Sequence, residues 1–86
     1  MTVFFHGSVA EYTNGDRNFG PSGCSSLKDL VDKLGEAYGE PFRAYLLGSE
    51  TCLLLVNGTG AMMTGGLDTP LKQGDRIEIL QFVDAG

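Results

Sequence analysis

The chain has 86 residues, an apolar fraction of 42% and a net charge of −5. That is one small domain, with a core that hides roughly 60–65% of the surface its unfolded form would expose. The six basic residues Arg17, Lys28, Lys33, Arg43, Lys72 and Arg76 are scattered, so no basic stripe tracks phosphates and nucleic-acid binding is not expected. No apolar run approaches the ~20 residues of a membrane helix, and no basic stretch leads into an apolar one at the start. A cytoplasmic protein without membrane contact is the expectation. The acidic balance fits either solubility alone or a partner with a basic face.

Thr2-Val3-Phe4-Phe5-His6 is β-branched and aromatic and reads as a first strand, with Val3 and Phe5 on one face and Thr2, Phe4 and His6 on the other. Turn signals follow at Asn14-Gly15 and Gly20-Pro21, with room for a short strand around Arg17 to Phe19 or for a long loop. Ser25 and Ser26 are N-cap candidates, and Asp29 suits the positive end of a helix. Leu27, Leu30, Val31 and Leu34 then recur at helical spacing. Gly35 either marks the helix end or is tolerated near it; Tyr38 extends the stripe and Gly39 supplies a stop. Glu40-Pro41 opens a second, shorter helix with proline in its preferred first turn, and Phe42, Tyr45 and Leu46 share its buried face.

Cys52 to Val56 is an almost unbroken apolar run, which predicts a strand buried on both faces or near the sheet centre. Asn57-Gly58 is the strongest hairpin signal in the chain, and Ala61-Met62-Met63 reads as a brief return strand. Gly74-Asp75 launches the last strand, Arg76 to Phe82. The pattern is ββ-α-(short α)-ββ-β. If the first and last strands lie side by side and parallel, the helix must sit in the crossover. The predicted fold is therefore α+β, a β-grasp: a mixed sheet of four to five strands with one main helix on one face, filling residues 1–86 as a single domain.

The last strand puts Ile77 and Ile79 on one face and Glu78, Leu80 and Phe82 on the other. The helix-covered core should take the isoleucines. Leu80 and Phe82 then join Phe4 and His6 on the open face as a docking patch, unless a loop or the Tyr45 region covers it. The chain closes on Val83-Asp84-Ala85-Gly86. A final glycine has no Cβ and an unhindered carboxylate, so it can enter a narrow active site. Gly86 is the candidate working group, with Val83, Asp84 and Ala85 as its lead.

No catalytic residue or metal site is expected. His6, Cys24 and Cys52 lack paired ligand spacing. His6 has no acid partner visible in sequence and reads as structural. Cys24, at a helix start, is either a thiol lowered by the helix dipole or an inert loop cysteine, and the second reading is favoured. Cys52 reads as a small core residue. The glycine-rich stretch from Gly58 to Gly66 lacks the lysine and hydroxyl residue of a phosphate loop.

Val56-Asn57-Gly58, then Pro70-Leu71-Lys72-Gln73-Gly74-Asp75-Arg76-Ile77-Glu78-Ile79-Leu80, then the final glycine, resembles the ubiquitin-like sulfur carriers, MoaD and ThiS. The register covers the last third of the chain well; Phe4 and the helix from Leu27 fit more loosely. The resemblance implies a carrier rather than an enzyme, with no cofactor of its own. An ATP-dependent adenylyltransferase resembling ubiquitin-activating enzymes would convert the Gly86 carboxylate to an acyl-adenylate and then a thiocarboxylate. The large subunit of a downstream synthase would accept the sulfur. Ala85 departs from the usual Gly-Gly ending, and Gln81-Phe82 stands where the molybdopterin carriers have a proline pair. Segment length around the first helix favours the molybdopterin pathway; the tail from Ile79 to Val83 looks closer to the thiamine pathway. A non-covalent ubiquitin-like binding module, or a modifier joined to lysines, are the rival readings. Plant-type ferredoxins share the architecture but need four cysteines, and this chain has two.

Overall fold

The computed structural model describes residues 1–48 and 51–81. Five strands form one sheet: β1 (Thr2–Phe5), β2 (Asn18–Phe19), β3 (Cys52–Val56), β4 (Thr59–Gly60) and β5 (Arg76–Gln81), in the order β2-β1-β5-β3-β4. β1 and β5 are parallel, with Thr2 opposite Arg76 and Phe5 opposite Ile79. The other pairings are antiparallel. The helices α1 (Leu27–Tyr38) and α2 (Glu40–Gly48) supply the crossover that parallel pairing requires.

α1 starts where its chemistry says it should. The Ser26 hydroxyl accepts the Asp29 backbone N–H, and the Asp29 carboxylate accepts both the N–H and the hydroxyl of Ser25. The Ser25 N–H, then its hydroxyl, hold the Asp29 carboxyl below its ordinary pKa. α1 ends at Gly39, whose φ of 107° is open to glycine alone at little cost. Gly35 lies inside the helix rather than at its end. A Cβ there would fall 2.9 Å from Cδ and 3.0 Å from Cβ of Arg43, so the missing side chain is what lets α2 pack closely. Arg43 fastens the approach by donating to Asp32 at 3.1 Å.

Both helices cover the same face of the sheet. Leu27, Leu30, Val31 and Leu34 of α1 and Phe42 and Leu46 of α2 are buried with Val3, Phe5, Val56, Ile77 and Ile79. Phe5, Tyr38 and Phe42 meet edge to face, with ring centroids 5.7–6.0 Å apart. The prediction of a main helix on one face of a β-grasp sheet holds, with α2 as a second packed helix.

Two expectations differ. The return strand is Thr59–Gly60; Ala61–Met63 is a 3₁₀ turn, because burial of Ala61 against the core pulls the chain off the sheet plane. β3 is not buried on both faces, although it does lie next to the sheet centre, between β5 and β4. β5 occupies the centre, and Leu53, Leu54 and Leu55 are all only partly buried. An apolar run records hydrophobic neighbours on both faces, but on one of these faces the neighbours are other half-exposed side chains.

Candidate docking site

The open face is built by strand alternation. Phe4 and Glu78 are paired across β1 and β5, and Leu55 and Leu53 of β3 lie opposite Glu78 and Leu80. Phe4, Leu53, Leu55 and Leu80 thus share the face turned away from the helices, and each is partly buried by its neighbours. Tyr45 does not cover them. It stacks on Tyr12 at 4.6 Å and packs against the helix-side core.

Charge is arranged at the centre of this face. Glu78 Oε1 lies 3.2 Å from His6 Nε2 and 3.6 Å from Arg76 Nη2. The Arg76 guanidinium sits 4.5 Å above the Phe4 ring, a cation–π contact. The carboxylate is thereby partnered, and the apolar residues flank a bridged charge rather than a bare one. His6 therefore has an acid partner after all. The pair is 72 positions apart in sequence, which is why reading along the chain missed it. Leu53 and Leu55 were missed as members of the face for a similar reason: their side becomes known only once β3 is placed beside β5.

β5 is set in register by a latch at its start. The Asp75 carboxylate accepts from the Asn57 side-chain amide at 3.1 Å and from the Lys72 N–H at 2.8 Å. The Asn57 carbonyl oxygen in turn accepts from the Arg76 N–H, and the Asn57 N–H donates to the Arg76 carbonyl at 2.7 Å. Asn57 and Gly58 have φ of 51° and 86°, the left-handed pair that a two-residue hairpin turn demands. The Asn57 amide, then the Lys72 N–H, hold the Asp75 carboxyl below its ordinary pKa. The Asn-Gly and Gly-Asp signatures seen in sequence are one structural device that ties the β3–β4 hairpin to the last strand.

Among the proposed site residues, Phe4 and Leu80 lie on the open face. Phe82 and the tail Val83, Asp84, Ala85 and Gly86 fall outside the described residues. Neither thiol is activated. Burial raises the Cys24 thiol above its ordinary value, in line with the inert reading, and burial pushes Cys52 up to about 11. Among the described residues no group of three His, Cys, Asp or Glu side chains is placed to hold a metal ion, and no helix is long and apolar enough to cross a membrane.

Two helices on one face of a mixed sheet, with the first and last strands parallel at its middle, make this a β-grasp protein of the ubiquitin-like class. The ThiS family matches residues 3–86, and the chain belongs to that family of ubiquitin-like sulfur carriers. CysO from Mycobacterium tuberculosis superposes with a TM-score of 0.82, covering 93% of this chain and 96% of that one; at 23% identity the likeness is one of fold. The small archaeal modifier protein SAMP1 from Methanosarcina acetivorans is 27% identical, with a TM-score of 0.76 over 99% of this chain and 94% of that one. Subunit 1 of the molybdopterin-converting factor from Helicobacter pylori, solved in complex with subunit 2, is 26% identical, with a TM-score of 0.61 over 93% and 89%. No curated protein matches the sequence.

Proposed function

We propose that this protein is a carrier whose Gly86 carboxylate is activated and loaded with sulfur by a partner enzyme. The observation that carries the reading is the family match, which spans residues 3–86 of a domain whose apolar sheet face is not covered by the helices among the described residues. A carboxylate does not accept sulfur at neutral pH. Its oxygen must first attack the α-phosphorus of ATP and release pyrophosphate. Hydrosulfide then attacks the acyl carbon, forming the C–S bond as the bond to AMP breaks and losing its proton, which leaves the thiocarboxylate. That chemistry belongs to an adenylyltransferase of the ubiquitin-activating kind. This chain supplies the carboxylate, the lead Val83-Asp84-Ala85 and the docking face of Phe4, Leu80 and Phe82, together with Leu53 and Leu55. It contributes no catalytic group, and it acts in the cytoplasm, where ATP is available.

The acceptor we propose is the large subunit of a molybdopterin synthase. Two things support it: the long segments around α1, and the likeness to subunit 1 of the Helicobacter pylori factor. A second reading, a protein modifier that forms bonds to lysine, draws on the higher TM-score with SAMP1. A ladder of heavier conjugates in native cells marks the modifier; a free thiocarboxylate marks the sulfur carrier.

The test of the activation step is pyrophosphate exchange with the adenylyltransferase. Deleting Gly86, or adding one residue after it, should abolish exchange while thermal melting stays unchanged. Continued exchange by either variant ends the carrier reading.

A further inference from the structure

The end of the last strand is held differently from the rest of it. β5 outruns its neighbour: β1 stops at Phe5, opposite Ile79, and the His6 N–H closes on the Ile79 carbonyl at 3.0 Å. Beyond that point a 3₁₀ turn, Gly7–Glu11, packs beside β5 in place of a strand. On the other side, Gln81 lies opposite Cys52 of β3. The bond from the Asn57 N–H to the Arg76 carbonyl sets the alternation of that antiparallel ladder. Its backbone bonds therefore fall at Glu78 and Leu80 and pass over Gln81.

A side chain holds Gln81 where the ladder does not. The Ser8 hydroxyl donates to Gln81 Oε1 at 2.7 Å, and both residues are partly buried. The donor stands on a firm base. Val9, next to it in the turn, is fully buried in the core, and the Tyr12 N–H closes the turn on the Val9 carbonyl at 3.0 Å. Gln81 shares the helix-side face with Ile77 and Ile79, so this bond leaves the docking face untouched. Gly86 lies five residues beyond Gln81, a reach of at most about 18 Å.

We propose that Ser8 is a positioning residue for the activation of Gly86: by holding Gln81, its hydroxyl fixes the point from which the tail leaves the sheet. The inference rests on the carrier reading and goes beyond it by naming what aims the carboxylate. An activating site must order every residue of the lead that the carrier leaves free. Fixing the backbone of one residue costs enough to move an equilibrium about fivefold or more. A Gln81 already held by Ser8 spares the partner that ordering. It also narrows the directions from which the carboxylate approaches the α-phosphorus of ATP, where a small misplacement slows a reaction strongly. Ser8 exchanges no proton with the reacting groups and acts only through Gln81.

The test is pyrophosphate exchange with the adenylyltransferase, using the full-length chain. Ser8→Ala should lower kcat about fivefold and leave KM and the melting temperature unchanged, because the docking face and the core are intact. Ser8→Thr keeps the hydroxyl and should keep the rate. Gln81→Leu removes the acceptor and should match Ser8→Ala. The double variant should be no slower than either single one, as expected when one bond carries the effect. Backbone ¹⁵N relaxation gives a readout outside activity: Ser8→Ala should raise the mobility of the Gln81 amide and leave that of Ile79 unchanged. Exchange by Ser8→Ala at the wild-type rate overturns the proposal. So does a change in KM alone, a loss that tracks a lower melting temperature, a double variant whose losses multiply, or a Gln81 amide no more mobile without the Ser8 hydroxyl. A wild-type chain that supports no exchange ends the carrier reading and this inference with it; an active chain indifferent to Ser8 ends this inference alone.

Discussion

Truncating Leu80 probes the open face at its described residue nearest the start of the tail. Fully burying a leucine contributes about 1.5–3 kcal/mol. Leu80 is already partly buried in the free chain, beside Leu53, so docking can gain only the remainder, about 1 kcal/mol. Leu80→Ala should therefore raise the Kd for the activating enzyme about fivefold. Leu80→Glu should do far more. It carries a carboxylate into the interface on the same face as Glu78, where His6 and Arg76 are already engaged in offsetting one negative charge. Desolvating that charge adds about 2 kcal/mol and takes the loss to roughly a hundredfold. Neither change should cost the free domain much, because the core is carried by Ile77 and Ile79 on the opposite face. Titration calorimetry reads the Kd, and circular dichroism melting reads the fold. An unchanged Kd for Leu80→Glu in a folded protein would refute the assignment of this face to docking.

Gly35→Ala should destabilise the domain by about 1 kcal/mol in urea unfolding, although alanine is the better helix former by about that amount. The added Cβ meets Arg43 at 2.9–3.0 Å and must push α2 away; equal or greater stability would show that α2 yields freely. The Asp75 carboxyl titrates below its unfolded value, so the stability it contributes is present above the unfolded pKa of about 3.9 and is lost as pH falls through the lower folded value. Asp75→Asn should accordingly flatten the acid limb of a stability–pH curve below about pH 4, leaving the smaller slope due to Asp29. An unaltered acid limb would mean that the Asn57–Asp75 latch opens in solution.

Much of the fold was legible along the chain because its signals are local. Serine caps, the Leu27–Leu34 spacing, Gly39 and Asn57-Gly58 each act within a few residues, and each sits where it was expected. The parallel pairing of β1 with β5 entered only as a condition, since the chain shows that such a pairing needs a helix in the crossover and not that the two strands pair; the structure has both. What escaped is what depends on distant partners. Ala61–Met63 has strand-like composition, but core burial of Ala61 decides its turn. His6 looked unpartnered until β1 was laid beside β5 and Glu78 came within 3.2 Å. Leu53 and Leu55 looked like core until the helices were seen to lie on the other face. Gly86 is the opposite case, a single residue whose proposed role rests on its own chemistry.

The most direct measurement is the intact mass of this protein taken from its native cells, with the C-terminal peptide sequenced by fragmentation. Replacing one carboxylate oxygen by sulfur adds roughly 16 Da, and the account places that gain on Gly86. A mass unchanged across sulfur-replete and cofactor-demanding growth, or a gain located on any other residue, contradicts it.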